Sequence, residues 1–289
     1  MPMLPPSRAL LKFVQRSCLF DPAASLLPFN VNGVVAGWMK RSFAAHLDQW
    51  PEHFSIRSRG VSMHGHFASA EQRSAALAEV VETLVGQDVI HGWRGELLTV
   101  AESLYAPPLF HIERAASRYF GLTVYAVHLN GLTERNGALH MWIAQRANSK
   151  AIDPGKLDNL TAGRIARGFT PQQTLLKEAA EEAGVPAELA NRATGNGAVR
   201  CKCSVEQGLH YEIMYVHDLL LPADFTPHNH DGEVADFRCH PIAEVMRMLE
   251  TPAQFTTDAA LVIIDCLIRR GYIGADRSDC LQLIQAMRP

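Results

Sequence analysis

The sequence predicts a mixed α/β protein in two parts, a smaller N-terminal α/β domain over residues 1–120 and a larger α/β domain over residues 121–289. Three observations carry this expectation. EQRSAALAEVVETLVGQ places Leu77, Val80, Val81, Leu84 and Val85 on the i, i+3, i+4 stripe of an amphipathic helix. From Leu122 the character changes to β-rich runs, LTVYAVHLNGL and ALHMWIAQRA, separated by TERNG, whose Asn136-Gly137 is a strong hairpin signal. Helical patterns then recur between further β-rich stretches, the mark of a layered α/β arrangement.

Taken in order, the first hundred or so residues mix short apolar segments with helical patterns, and HIERAASRYFGL reads as a helix stopped at Gly121, where the boundary is placed. After the hairpin, Asp153-Pro154-Gly155 marks a turn. TPQQTLLKEAAEEAGVP follows as a well-punctuated helix. Thr170 can cap it, Pro171 suits its first position, Gln173 completes a capping box and Gly184 can end it in the left-handed conformation. Leu176, Ala179, Ala180 and Ala183 form its expected apolar face. VRCKCSVEQGLHYEIMYVHDLLL alternates as one or two strands, and PIAEVMRMLE and TTDAALVIIDCLIRRGYI close the chain as helices.

Composition narrows the function. The chain has 289 residues, 47% hydrophobic and 20% charged, with a formal net charge of −3. That is ordinary soluble globular chemistry, without the basic footprint that nucleic-acid binding needs. No apolar run approaches the ~20 residues of a membrane span; LVIIDCLI is short and interrupted by Asp265. MPMLPPSRALLKFVQRSCLF lacks the pattern of a secretory signal, and six cysteines do not make a disulfide scaffold in a chain this long, so a reduced, cytoplasmic setting is expected. Nothing in the sequence speaks to oligomeric state. Cys201-x-Cys203, followed by His210 and His217, departs from zinc-knuckle spacing and fits strand alternation better than a metal site. His228 and His230 read as loop polars.

Glu178, Glu181 and Glu182 stand at i, i+3 and i+4, so a helix crowds them onto one turn at a cost of about 0.2–0.5 kcal/mol per exposed pair. Either they form a solvated face or they share a hard divalent cation, Mg2+ above all, which favours carboxylate oxygens together with phosphates.

The flanking residues decide between these readings. Gly163, Phe169, Lys177, Glu178, Ala179, Glu181, Glu182, Gly184 and Val185 resemble the Nudix box, G-x5-E-x7-R-E-U-x-E-E-x-G-U with U a bulky apolar residue. Phe169 replaces its first glutamate, Lys177 its arginine, and Ala179 is small for its position. WRGELLTV, ERAASRYFGLTVYAVHLNGL, MWIAQRANSKAIDPGKLDNLTAG and LVIIDCLIRRGYI are similar to the Nudix subfamily related to the N-terminal half of fungal thiamine pyrophosphokinases, which has stand-alone members, and the likeness runs from about Phe29 to Ile273. Arg164, where glycine is common, is a further departure.

The resemblance implies a Nudix α/β/α sandwich with a mixed sheet, and a Mg2+-dependent diphosphatase in which Mn2+ can substitute. It implies Glu181, Glu182 and the Gly163 carbonyl as metal ligands, with Glu178 and a distal acid, Glu233 in DGEVADF, joining them. Glu178 is the preferred base, Glu233 the alternative, and Lys177 steadies a carboxylate or the phosphate. The implied substrate is a small organic diphosphate, an oxidised thiamine diphosphate or thiamine diphosphate, cleaved to the monophosphate. Nucleotide sugars, dinucleotides or coenzyme A, and a weakly catalytic binding module, are the alternatives. These groups all follow Gly121, so the N-terminal domain is expected to select substrate without joining the chemistry. Trp142 is a candidate wall of the organic pocket, with plain core as its other reading.

Overall fold

A computed structural model describes residues 7–289; residues 1–6, part of the stretch read for a secretory signal, lie outside it. The chain opens with helix α1 (Arg8–Cys18), capped by the Ser7 hydroxyl. Strands β1 (Leu27–Val31) and β2 (Val34–Met39) form a hairpin whose turn residues Asn32 and Gly33 have φ of 52° and 81°. Helix α2 (Arg41–His46), β3 (Phe54–Arg57) and β4 (Gly60–Met63) follow, and the four strands make a sheet in the order β2-β1-β4-β3. Helix α3 (Ala70–Gly86) starts with a Ser69–Gln72 capping box. Of its expected stripe, Leu77, Val80, Val81 and Leu84 are fully buried and Val85 is half-buried. Those side chains join Phe29, Phe43, Phe110 and Phe120 in the core of this N-terminal region.

The stretch read as one helix before Gly121 is divided. β5 (Leu97–Val100) pairs with β6 (Phe110–Glu113), Leu98 opposite Ile112, and only after a short turn does α4 (Ser117–Phe120) form. Tertiary strand pairing overrides the helical pattern of residues 111–113. At Gly121 the backbone has φ 61°, and a Cβ there would lie 1.8 Å from the Trp38 carbonyl oxygen, so only glycine allows this close approach.

The second sheet is centred on β7 (Thr123–Arg135). It turns through Asn136 and Gly137, at φ of 51° and 74°, into β8 (Ala138–Arg146). That is the hairpin read from the sequence, although β7 continues through the TER residues assigned to the connection. Next come β9 (Leu157–Asp158), β10 (Thr161–Arg164), α5 (Pro171–Ala183) and α6 (Ala187–Ala190). They are followed by β11 (Thr194–Ser204), β12 (Leu209–Leu220), β13 (Val234–Pro241) and α7 (Ile242–Met248). Helices α8 (Thr257–Arg269) and α9 (Cys280–Met287) end the chain.

The sheet runs β11-β12-β7-β8-β13 and is mixed, since β12 lies parallel to β7 and its other pairs are antiparallel. β10 pairs with Ala126–Leu129 of β7, while β8 pairs with Gly131–Arg135. The edge of β7 opposite β12 is thus shared, and β8 and β10 diverge beside it. One face carries Val127 and Leu129, which pack against Leu175 and Ala179 of α5. The other carries Ala126, Met214 and Val216 under α7, α8, α9 and also α1, whose Leu10, Val14 and Cys18 join this second core. The expected α/β/α sandwich is present, behind a separate N-terminal α/β region. That region docks on the connection from β10 to α5, where Arg167 N donates to Leu97 O at 2.7 Å. None of the described helices is long and apolar enough to cross a membrane.

Candidate active site

Helix α5 is built as its sequence indicates. Thr170 Oγ1 accepts from Gln173 N at 3.2 Å, Gln173 Oε1 accepts from Thr170 N at 2.9 Å, and Gly184 ends the helix at φ 61°. Its buried face differs from the expected one. Leu175, Ala179 and Ala183 are buried with Glu182 among them, whereas Ala180 is exposed and Leu176 half-buried. A pattern of apolar residues alone passes over a glutamate at i+3 from Ala179 and i+7 from Leu175, yet that glutamate belongs to the inward stripe.

Glu182 is 7% exposed, and its Oε2 accepts from Ala162 N on β10 at 2.9 Å. Glu178, one turn earlier, lies flat against Gly163. A Cβ at that position would come within 2.3 Å of Glu178 Cγ and Cδ, so the glycine leaves the room the carboxylate occupies. From the other side, the loop before β13 brings in Asp231 and Glu233. Carboxylate oxygens of Glu182, Asp231 and Glu233 all lie within 4.8 Å of one another, an oxygen-rich set suited to a hard divalent cation. Gly163, Glu178, Glu182 and Glu233 line one cleft. Glu181 and Lys177 are not among its walls. They face solvent, Lys177 Nζ lying 2.7 Å from Glu181 Oε2 and 3.2 Å from Glu178 Oε1.

Electrostatics separates these acids. Burial, reinforced by the Glu178 charge, raises the Glu182 carboxyl well above the ordinary glutamate range. Burial likewise raises Glu178, against the opposing pull of Lys177. For Glu233 burial acts upward, but its ion pair with Lys150 prevails and the net shift is down. Lys177 is desolvated, yet the Glu181 hydrogen bond and the Glu178 charge outweigh that and raise it. Deeper in the cleft, Arg164 Nε meets Glu212 Oε2 at 2.9 Å, and Arg164 and His128 hold Glu212 well below the ordinary range despite its burial.

Sequence reasoning missed Asp231, two residues before Glu233 in the same DGE triplet, and the whole basic side of the cleft. Arg94, Arg114 and Arg118 come from the N-terminal region, Arg146 and Lys150 from the end of β8 and the loop beyond. No local spacing announces the first three, since docking of that region brings them in. Trp142 lines no part of this cleft; it is a core residue, 6% exposed, with Arg135 over its ring at 5.4 Å.

Of the cysteine and histidine candidates, Cys201 and His210 do meet, with Asp258, under α8; His210 Nε2 is 3.0 Å from Asp258 Oδ1. His217 is elsewhere, with Nδ1 3.2 Å from Tyr215 O. His228 and His230 lie on the loop before β13, their rings 4.5 Å apart.

Comparison with known proteins agrees with this architecture. Residues 122–261 match the NUDIX domain model, and residues 10–124 match a domain of unknown function, DUF4743. The chain is 37% identical over 270 residues to Nudix hydrolase 24, chloroplastic, of Arabidopsis thaliana, covering 93% of this chain and 74% of that protein. It is 35% identical over 277 residues to Nudix hydrolase 20, chloroplastic, of the same plant, with the same two coverages of 93% and 74%. An uncharacterized protein of Saccharomyces cerevisiae is 31% identical over 213 residues, 68% of this chain and 61% of its own length. The chain belongs to the Nudix hydrolase family, pyrophosphohydrolases that act on diphosphate-linked substrates with divalent metal ions.

Proposed function

We propose that the cleft hydrolyses a small organic diphosphate to its monophosphate and inorganic phosphate, with Mg2+ as the cation and Mn2+ able to replace it. The observation that carries this is the meeting of Glu182, Asp231 and Glu233 beside Glu178 and Gly163. Glu182, Asp231 and Glu233 are assigned to hold the cation, with Glu178 and the Gly163 carbonyl beside them. Glu181, paired to Lys177 on the outer side, is the less favoured ligand on its geometry. When bound, the cation neutralises diphosphate oxygens and makes a water more acidic.

The chain's own groups supply the rest. Glu178 is the preferred base, because its raised pKa brings proton affinity closer to neutral pH. It takes the proton of the attacking water as the new O–P bond forms and the bridging P–O bond breaks; Glu233 is the alternative base. Lys177 positions Glu178 by its 3.2 Å contact.

For the organic group, the thiamine-related resemblance favours thiamine diphosphate and, above it, an oxidised form. Arg94, Arg114, Arg118 and Arg164 line a pocket adjoining the cleft that has no acid among its walls, which disfavours the cationic thiazolium and leaves a neutral oxo ring unpenalised. A cytoplasmic location stays part of the proposal. The test is product analysis with Mg2+ across thiamine, oxothiamine, nucleotide-sugar, dinucleotide and coenzyme A substrates, reading inorganic phosphate from the two thiamine forms and the two phosphate-monoester halves from the others. The oxothiamine form is expected to give the highest kcat/KM; equal rates for the two thiamine forms, or a clear win for a nucleotide, would remove the thiamine reading.

A further inference from the structure

The basic groups of the cleft are not equivalent. Arg146 meets Asp158 at 2.9 Å, Arg164 meets Glu212 at 2.9 Å, Arg114 meets Glu96 at 2.7 Å, and Lys150 is paired with Glu233. Among the described residues, Arg94 and Arg118 have side chains in no ion pair, and the Arg118 Nε is buried with no hydrogen-bond partner. A buried N–H without an acceptor costs about 1–3 kcal/mol, which an arriving oxygen anion removes. Both residues also line an adjoining pocket, bounded by His91, Tyr119, Ile152 and Gln207. Arg94 sits on a loop tethered by its own backbone, Arg94 N donating to Glu113 Oε1 at 2.8 Å. Arg118 is fixed on α4, whose next residue, Tyr119, packs its ring 5.4 Å from Phe43. The charges of Arg94 and Arg114 also reach the acids, since both pull Glu233 downward and Arg114 pulls Glu178 downward.

We infer that the N-terminal region completes the hydrolytic site: Arg94 and Arg118 bind the phosphoryl oxygens of the substrate, and the adjoining pocket receives a compact, uncharged organic group over Ile152 and Tyr119. The inference rests on the diphosphatase reading above, and it gives the N-terminal region a part in binding the reacting phosphates as well as in selecting among substrates. A guanidinium fork suits this task, because two N–H groups can meet two oxygens of one phosphoryl group. The acids opposite cannot perform it, since they repel the same oxygens.

Calorimetric binding of methylenediphosphonate, a diphosphate analogue whose P–C–P bridge cannot be hydrolysed, and of its phenyl ester at saturating Mg2+ tests this on the full chain. Arg94→Met and Arg118→Met are each expected to weaken methylenediphosphonate by about tenfold or more, with Arg→Lys recovering part of the loss at each position. Arg41→Met, an exposed arginine of the same region bonded to Ser58 O, should bind as the wild type does. The phenyl ester should bind more tightly than the parent, and Ile152→Ala should reduce that gain while leaving the affinity for the parent unchanged. Melting temperatures close to wild type establish that the variants are folded. Undiminished binding by a folded Arg94→Met/Arg118→Met double variant, or no binding by the wild type, overturns the inference. Hydrolysis of the substrate panel is scored separately: a wild type that hydrolyses it beside an unimpaired double variant leaves the diphosphatase reading standing and removes the arginine clamp. Binding lost in the double variant, with no hydrolysis by any form, does the reverse.

Discussion

Glu178 and Glu182 reach the cleft from a single helical turn, whereas Arg94, Arg114 and Arg118 reach it from a loop and two short helical turns of a region with its own core. The acids are placed by 3.6-residue geometry and by one glycine opposite. The bases are placed by docking, through Gly121 against Trp38 and Leu97 against Arg167. The difference teaches that the two walls can fail separately. Damage to the helix should remove chemistry, and damage to the docked region should remove binding.

The largest effect is expected at the most buried acid. Glu182→Gln keeps volume and the Ala162 hydrogen bond while removing a charge. With each ~1.4 kcal/mol of lost stabilisation costing tenfold, we expect kcat to fall by about three orders of magnitude. Phosphate release at saturating Mg2+ measures it, and near-normal turnover would show that Glu182 holds no cation. Gly163→Ala comes next. The added methyl would overlap Glu178 Cγ and Cδ at 2.3 Å, so the carboxylate must move. A displacement of that size costs on the order of 10²-fold in rate, with Mg2+ binding at Glu182 largely kept; an unaltered rate would remove Glu178 from the mechanism.

Stability offers a smaller effect of opposite sign. Burial and the Glu178 charge raise Glu182 above 4.5, so the folded metal-free protein holds that proton more tightly than the unfolded chain. The contribution of this group to stability is therefore lost as pH rises from about 4.5 through the raised value. Glu182→Gln should match the wild-type Tm near pH 4 and exceed it near pH 8 without metal, with Mg2+ closing the gap by stabilising only the wild type. A Tm difference independent of pH would contradict the assignment. Smallest of all, Lys177→Met breaks contacts to Glu181 and Glu178 on a side chain that is 42% exposed. About 0.5 kcal/mol of stability and less than about tenfold in kcat should be lost; a collapse of kcat comparable to Glu182→Gln would make Lys177 a chemical group and not a positioning one.

What could be read from the sequence follows the same division. The caps of α5, the Asn136-Gly137 hairpin, the stripe of α3 and the spacing of the glutamates with Gly163 depend on residues a few positions apart, where propensity and periodicity act. Glu233 was legible through resemblance, but its neighbour Asp231 was not, because one loop acid looks like another until the loop closes on α5. Residues 111–113 carry a helical pattern yet form strand, because their partner, β5, lies ten residues or more upstream. Arg94 and Arg118 were invisible for a stronger reason. Each resembles any surface arginine, and only the docking of one region on the other brings them to the cleft, where the other basic groups are already paired.

The division of labour between the two walls is tested most directly by measuring kcat and KM on one organic diphosphate for Glu182→Gln and for the Arg94→Met/Arg118→Met double variant, side by side at saturating Mg2+. The account predicts that Glu182→Gln loses kcat, while the double variant raises KM by about tenfold or more and keeps kcat within about tenfold. A double variant with normal KM, or one whose kcat falls as far as that of Glu182→Gln, would contradict it.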